Sequence, residues 1–146
     1  MIHYAKGDLF DTDHQIIAHG CNCRGGYGAG IAGQMAKKYP KARVSYLEKH
    51  NSEGWHLGDV QLVKIDTNLY IANCATQDEY YPRNQVHADY QAIRQSMETV
   101  KRFAKLKQFK IAIPKIGAGL AGGDWSIIEN ILNAVFEDYD ITVYTL

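Results

Sequence analysis

Residues 15–33 read Gln15-Ile16-Ile17-Ala18-His19-Gly20-Cys21-Asn22-Cys23-Arg24-Gly25-Gly26-Tyr27-Gly28-Ala29-Gly30-Ile31-Ala32-Gly33, and this stretch decides the architecture. A short β-rich run, Gln15 to Ala18, ends in a glycine cluster, and a helical pattern, Gly30 to Lys38, follows it. The same order recurs near the C-terminus. There, Lys110 to Ile113 leads into Pro114-Lys115-Ile116-Gly117-Ala118-Gly119-Leu120-Ala121-Gly122-Gly123-Asp124, and a helical pattern from Trp125 to Phe136 follows with Asp124 placed as its N-cap.

Working outward, the runs Val60 to Ile65, Leu69 to Ala72 and Ile141 to Tyr144 bring the expected count to five or six short strands. Two more helices are predicted, Lys41 to Asn51 opened by Pro40, and Gln85 to Lys105. In the second of these, Tyr90, Ile93, Met97, Val100 and Ala104 share one face, which is core material. Strands alternating with helices predict an α/β fold, its mostly parallel or mixed sheet covered on both faces.

The chain has 146 residues, with 16 Lys+Arg against 16 Asp+Glu, so its formal net charge is zero. At 46% hydrophobic and 22% charged residues it reads as one ordinary domain, residues 1–146, and not as a disordered chain. A balanced charge argues against general nucleic-acid binding, which draws on a basic excess. The apolar stretches fall far short of the roughly 20 residues that cross a bilayer, and Met1-Ile2-His3-Tyr4-Ala5-Lys6 holds no apolar signal core, so a soluble, cytoplasmic protein is expected. Cys21, Cys23 and Cys74 make an odd set read as free thiols. Cys21-x-Cys23 has no second Cys/His pair to complete a zinc site, so neither metal nor cofactor is expected.

Both glycine clusters contain G-x-G-x-x-G, as Gly28/Gly30/Gly33 and Gly117/Gly119/Gly122. Glycine lets a ligand approach the main chain closely, so successive N–H groups can point at an anion, helped by the dipole of the helix that follows. Two such loops suggest two phosphates. A dinucleotide-binding turn fits poorly, because nine residues separate Ala18 from Gly28, and Glu48 and Glu53 lie in or just after a predicted helix rather than at a strand end. No G-x-x-x-x-G-K-[ST] occurs. With only Arg24 and Lys115 as loop cations, backbone donors would do most of the binding, which selects a buried diphosphate.

These residues resemble the macrodomain family, a three-layer α/β/α sandwich that binds ADP-ribose. The resemblance runs through Lys6-Gly7-Asp8-Leu9-Phe10, Ile16 to Cys23, Gly28-Ala29-Gly30-Ile31-Ala32, Gly58-Asp59-Val60, Ile71 to Gln77, the second glycine loop and Ile141-Thr142-Val143-Tyr144. It implies that Asp8 accepts from the adenine amino group, with Leu9 beside it, and that Asn22 bonds the distal ribose hydroxyls. It places the first loop (Gly20, Gly28 to Ala32) near that ribose, with Thr76 and Gln77 close by, and wraps Ile116, Gly117, Ala118, Gly119, Leu120 and Ala121 around the diphosphate. Asp8 also reads as a turn or capping acid.

The segment His19 to Cys23 is most similar to the branch that holds ADP-ribose-1″-phosphate phosphatases and the terminal ADP-ribose glycohydrolase. That glycohydrolase uses a lysine and an aspartate where Gln77 and Ala121 stand, and neither replacement can form its covalent intermediate or move its proton. Other hydrolytic members place an aspartate in the first loop, and residues 24–33 contain no acid.

His19, Asn22 and Asp124 remain as candidate catalytic groups. His19 reads either as a general acid or base or as a hydrogen-bonded histidine at a strand end, and Asp124 either aligns water or only caps its helix. Cys21 and Cys23 read as loop fillers, and Tyr27, Tyr80 and Tyr81 read either as aromatic residues that close the site or as ordinary surface or core tyrosines. The expected activity is hydrolysis of ADP-ribose-1″-phosphate by a monomer. The alternatives are a module that only binds ADP-ribose and a hydrolase that removes ADP-ribose from a modified macromolecule.

Overall fold

The computed structural model describes residues 1–82 and 85–146. Six strands form one sheet: β1 (Ile2–Lys6), β2 (Ile16–Cys21), β3 (Val60–Asp66), β4 (Leu69–Ala75), β5 (Ile111–Ile113) and β6 (Ile141–Thr145). Their order is β1-β6-β5-β2-β4-β3, and every neighbouring pair is parallel except the β3–β4 hairpin. Four helices complete the fold: α1 (Gly30–Lys38), α2 (Pro40–Ser52), α3 (Tyr90–Lys107) and α4 (Trp125–Val135).

The period-2 alternation of the strands sends side chains to two cores. Ile16, Ala18, Ala72, Ile111, Ile113 and Val143 pack under α3 and α4 through Ile93, Met97, Val100, Ile128 and Leu132. On the other face, Ile17, Cys21, Ile71, Ala75 and Ala112 meet Met35 of α1, Ala42 and Tyr46 of α2, Trp55, and a single 3-10 turn at Leu9–Asp11. This is the expected three-layer α/β/α arrangement. Fully buried Ile and Met side chains contribute roughly 1.5–3 kcal/mol each, so the two cores hold the layers together. Among the described residues no helix is long and apolar enough to cross a membrane.

Three differences from the sequence reading matter for the site. β2 continues past Ala18 to Cys21, paired with β4 through Cys21 and Ala75, so His19-Gly20-Cys21 is strand and not loop. Helix α3 begins at Tyr90 and not at Gln85, because the Asp89 carboxylate accepts from the Ala92 amide at 2.9 Å. The residues before it are extended and tied elsewhere: the His87 and Ala88 amides donate to the Ala121 carbonyl, and the Asp89 amide to Thr76. The strand that the five apolar runs leave out is β1, a partly exposed edge strand held in parallel register with β6, Ile2 opposite Ile141.

Candidate functional site

Strands β2 and β5 are parallel neighbours, yet the helices that follow them cover opposite faces, α1 one and α4 the other. A crevice opens beyond the carboxyl ends of strands where connections diverge in this way. Here it is a cavity of about 720 Å³, lined by both glycine loops. That volume suits a nucleotide-sized ligand.

The two loops touch. Gly30 opens α1 at a φ of +58°, and a β-carbon there would come within 3.3 Å of Leu120 Cδ1, so Leu120 of the second loop leans across the first. Residues 77–82 and 85–88 flank them from the side. Asp78 accepts from the Cys23 amide and, with Glu79, pairs with the Arg24 guanidinium, while His87 and Ala88 bond to Ala121. Tyr80 lies against Gly26 and lines the cleft.

Of the residues expected at the site, His19, Gly20, Asn22, Gly28, Ala29, Gly30, Ile31, Ala32, Thr76, Gln77, Ile116, Gly117, Gly119, Leu120 and Ala121 all line this cavity. Asp8, Leu9, Ala118 and Asp124 do not. Asp8 caps the 3-10 turn, accepting from the Phe10 amide at 2.9 Å, and Leu9 is buried in the α1/α2 core. Asp124 caps α4 through bonds from the Ser126 amide and hydroxyl, which hold its carboxyl below the usual range. Tyr27 is buried behind the cleft floor, and Tyr81 is exposed without lining the cavity. Gln34, one turn into α1 from Gly30, is a wall residue that the loop motif did not include; the i, i+4 spacing from Gly30 was its only signal.

Among the described residues that line the cleft, Lys115 is the one with a permanent charge, and no carboxylate is among them. The Lys115 ammonium sits 5.8 Å above the Trp125 ring, a cation–π contact. The cleft is therefore built from main-chain dipoles, glycine and apolar side chains, with a weak positive bias.

His19 is almost fully buried, and its Nε2 lies 2.7 Å from Asn73 Oδ1 and 2.9 Å from the Tyr27 hydroxyl. Asn73 Nδ2 donates to the Ala42 carbonyl and to Gln61 Oε1, so Asn73 Oδ1 must be the acceptor. The proton of the neutral imidazole therefore sits on Nε2 and points into the protein. Nδ1 is left as a bare acceptor, with no partner among the described residues. Burial pulls the His19 pKa down to about 4, opposed in part by the Asn73 bond. At neutral pH His19 is uncharged and holds no imidazolium proton to give, which removes the acid half of the expected acid–base role. Cys21, Cys23 and Cys74 are buried thiols, with burial pushing Cys74 up to about 12 and Cys23 up to about 11, so none is a ready thiolate. Among the described residues no three His, Cys, Asp or Glu side chains gather to hold a metal ion.

Comparison with known proteins places this geometry. The family described as Macro domain matches residues 18–132. A Candida albicans protein named ADP-ribose 1″-phosphate phosphatase is 33% identical over 157 residues, covering both chains in full. A Mycobacterium bovis protein named DNA ADP-ribosyl glycohydrolase is 27% identical over 151 residues, and the match spans 99% of this chain but 42% of that one. A solved structure of a Bacteroides thetaiotaomicron protein of unknown function superposes with a TM-score of 0.91 at 32% identity, covering 100% of this chain and 98% of the other. A sheet with two glycine loops meeting at its switch point, matched along most of the chain by one family, makes this protein a member of the Macro domain family.

Proposed function

We propose that the cleft binds ADP-ribose and that the protein hydrolyses ADP-ribose-1″-phosphate to ADP-ribose and inorganic phosphate. The observation that carries the reading is the contact of Leu120 with Gly30, which brings both glycine loops onto one cavity. On this reading the diphosphate lies between the amides of residues 28–32 and those of residues 117–121, next to the N-terminus of α1. Asn22, Thr76 and Gln77 face the distal ribose, and Asp8, outside the cavity with Oδ1 taken by the Phe10 amide, keeps Oδ2 for an adenine amino group that extends beyond the cavity. Water attacks the phosphorus, the P–O bond to the ribose breaks, and the departing sugar oxygen takes one proton of the attacking water while the other stays on the phosphate. Positioning and charge stabilisation dominate such a transfer, so it does not require a strong acid in the cleft. His19 Nδ1, buried and without a partner among the described residues, would have to meet the attacking water inside the cleft floor to relay that proton.

A second reading is favoured by a specific observation: a cleft with no carboxylate among its described lining residues and an uncharged histidine suits a module that only recognises ADP-ribose. Measuring phosphate release from ADP-ribose-1″-phosphate separates the two. The phosphatase reading expects release that His19→Ala lowers by about a hundredfold or more, the usual contribution of one acid–base group. Tight ADP-ribose binding with no release above the His19→Ala control selects the binding module.

A further inference from the structure

We infer that Tyr46, which does not line the cleft, is a positioning residue that fixes Asn22 as a hydrogen-bond donor to the ligand; with ADP-ribose as the probe, this rests on the reading above. Tyr46 is fully buried in α2. Its hydroxyl accepts from the Gly25 amide at 3.0 Å and lies 2.7 Å from the Asn22 carbonyl and 3.0 Å from Asn22 Oδ1. A hydroxyl has one hydrogen, and the shorter contact gives it to the Asn22 carbonyl.

The Asn22 side chain is tied down in turn. Its Oδ1 accepts from the Arg24 amide at 2.9 Å and the Gly26 amide at 3.1 Å, and its Nδ2 donates to the Gly26 carbonyl at 2.7 Å. An amide nitrogen carries two hydrogens, and among the described residues only one of these has a partner. Asn22 lines the cleft, so what it offers there is the remaining N–H, while its oxygen faces the loop. The matching ligand atom is an acceptor, a hydroxyl or phosphate oxygen, and a ligand N–H at this point finds nothing to accept it.

The ring of Tyr46 is held as firmly as its hydroxyl. It stacks on Trp55 with centroids 5.1 Å apart and meets Tyr27 at 4.9 Å, and Tyr27 in turn meets His19 edge-on at 5.4 Å. Trp55 Nε1 donates to the Tyr46 carbonyl at 3.0 Å. An aromatic column thus runs from behind α2 to the cleft floor, and of its two tyrosine hydroxyls that of Tyr27 bonds His19 and Asn73 while that of Tyr46 bonds Gly25 and Asn22. Packing of this kind locks a supporting group and preorganises the group it holds.

Tyr46→Phe keeps the column and removes the hydroxyl. We expect ADP-ribose affinity to fall about tenfold by calorimetry, the loss typical of one hydrogen-bonded constraint. The side-chain amide resonances of Asn22 should also move in the ligand-free variant. Trp55→Phe, which removes the indole bond and leaves the hydroxyl, should lower Tm yet keep both the Asn22 resonances and the affinity within twofold. Asn22→Asp keeps an acceptor for the loop and loses the donor, so it should bind at least tenfold more weakly even if Tyr46→Phe fails to fold. Wild-type Asn22 resonances in Tyr46→Phe, or unchanged binding by either Tyr46→Phe or Asn22→Asp, would overturn the inference. If the wild-type protein ignores ADP-ribose, the ligand reading fails by itself and the ligand-free Asn22 resonances still decide the positioning role.

Discussion

Gly117→Ala is expected to weaken ADP-ribose binding by about a hundredfold and to lower Tm by about 4–20 °C. Gly117 sits at a φ of +78°, where a residue with a β-carbon costs roughly 1–2 kcal/mol. The added methyl would stand 2.9 Å from Ile93 Cδ1 and 3.1 Å from Ile128 Cδ1. Both isoleucines are completely buried in the α3/α4 core, so crowding there adds on the order of 1–3 kcal/mol. The sum converts to the stated Tm shift at roughly 2–4 °C per kcal/mol for a domain near this size.

Relaxing the strain moves the Gly117 carbonyl away from the Gly123 amide it accepts at 2.8 Å, and the loop amides swing off their target. Losing one or two bonds to a charged ligand accounts for about a hundredfold in affinity. Gly119→Ala in the same loop is the control, because its β-carbon meets nothing within 4 Å and its φ is not positive, so its Tm should stay within about 2 °C of wild type. Thermal unfolding of the two variants beside calorimetry checks this. Equal Tm values for them would contradict the close fit claimed for Gly117.

Folding stability is expected to fall as the pH drops from 6.5 toward 4, with His19 responsible for about 3 kcal/mol of the loss. The folded-state pKa of about 4 lies below the unfolded value near 6.5, so the unfolded chain binds the extra proton between those limits. The contribution of neutral His19 is complete above pH 6.5, declines by at most about 1.4 kcal/mol per pH unit, and is gone once the pH has passed through the folded pKa. The partners of the imidazole, Asn73, Tyr27 and Cys21, are all uncharged and offer nothing to stabilise an imidazolium. Urea unfolding at pH 7, 5.5 and 4.5 should show a shallower acid limb for His19→Gln than for wild type. Parallel limbs would mean that His19 is accessible to protons in the folded state.

The glycine loops were legible because strand, glycine cluster and helix follow one another without a gap, and α1 was read from Gly30 to Lys38, as it is. Most of the cleft wall follows from those loops alone. The role of His19 is harder to see, because the β-rich run of the sequence stops at Ala18. Ile17, His19 and Cys21 alternate along the strand, and continuing the period-2 pattern by three residues puts His19 on the same buried face as Ile17. Asn73 follows from the same pattern, between Ile71 and Ala75 on β4.

The start of α3 was hidden for a different reason. Gln85 to Asp89 carry no helix-breaking residue, and they stay extended because Ala121 and Thr76 take up their amides, a long-range constraint that local propensity does not register. Tyr46 gave no loop signal at all. Its hydroxyl reaches the first loop from α2, through a contact 24 residues away in sequence.

Titration of isotopically labelled protein with ADP-ribose, followed by backbone amide resonances, tests most directly whether both loops hold one diphosphate. The account predicts that amides of residues 28–32 and 117–121 shift together and saturate with a single dissociation constant. Shifts confined to one loop, or two loops saturating at different concentrations, would contradict it.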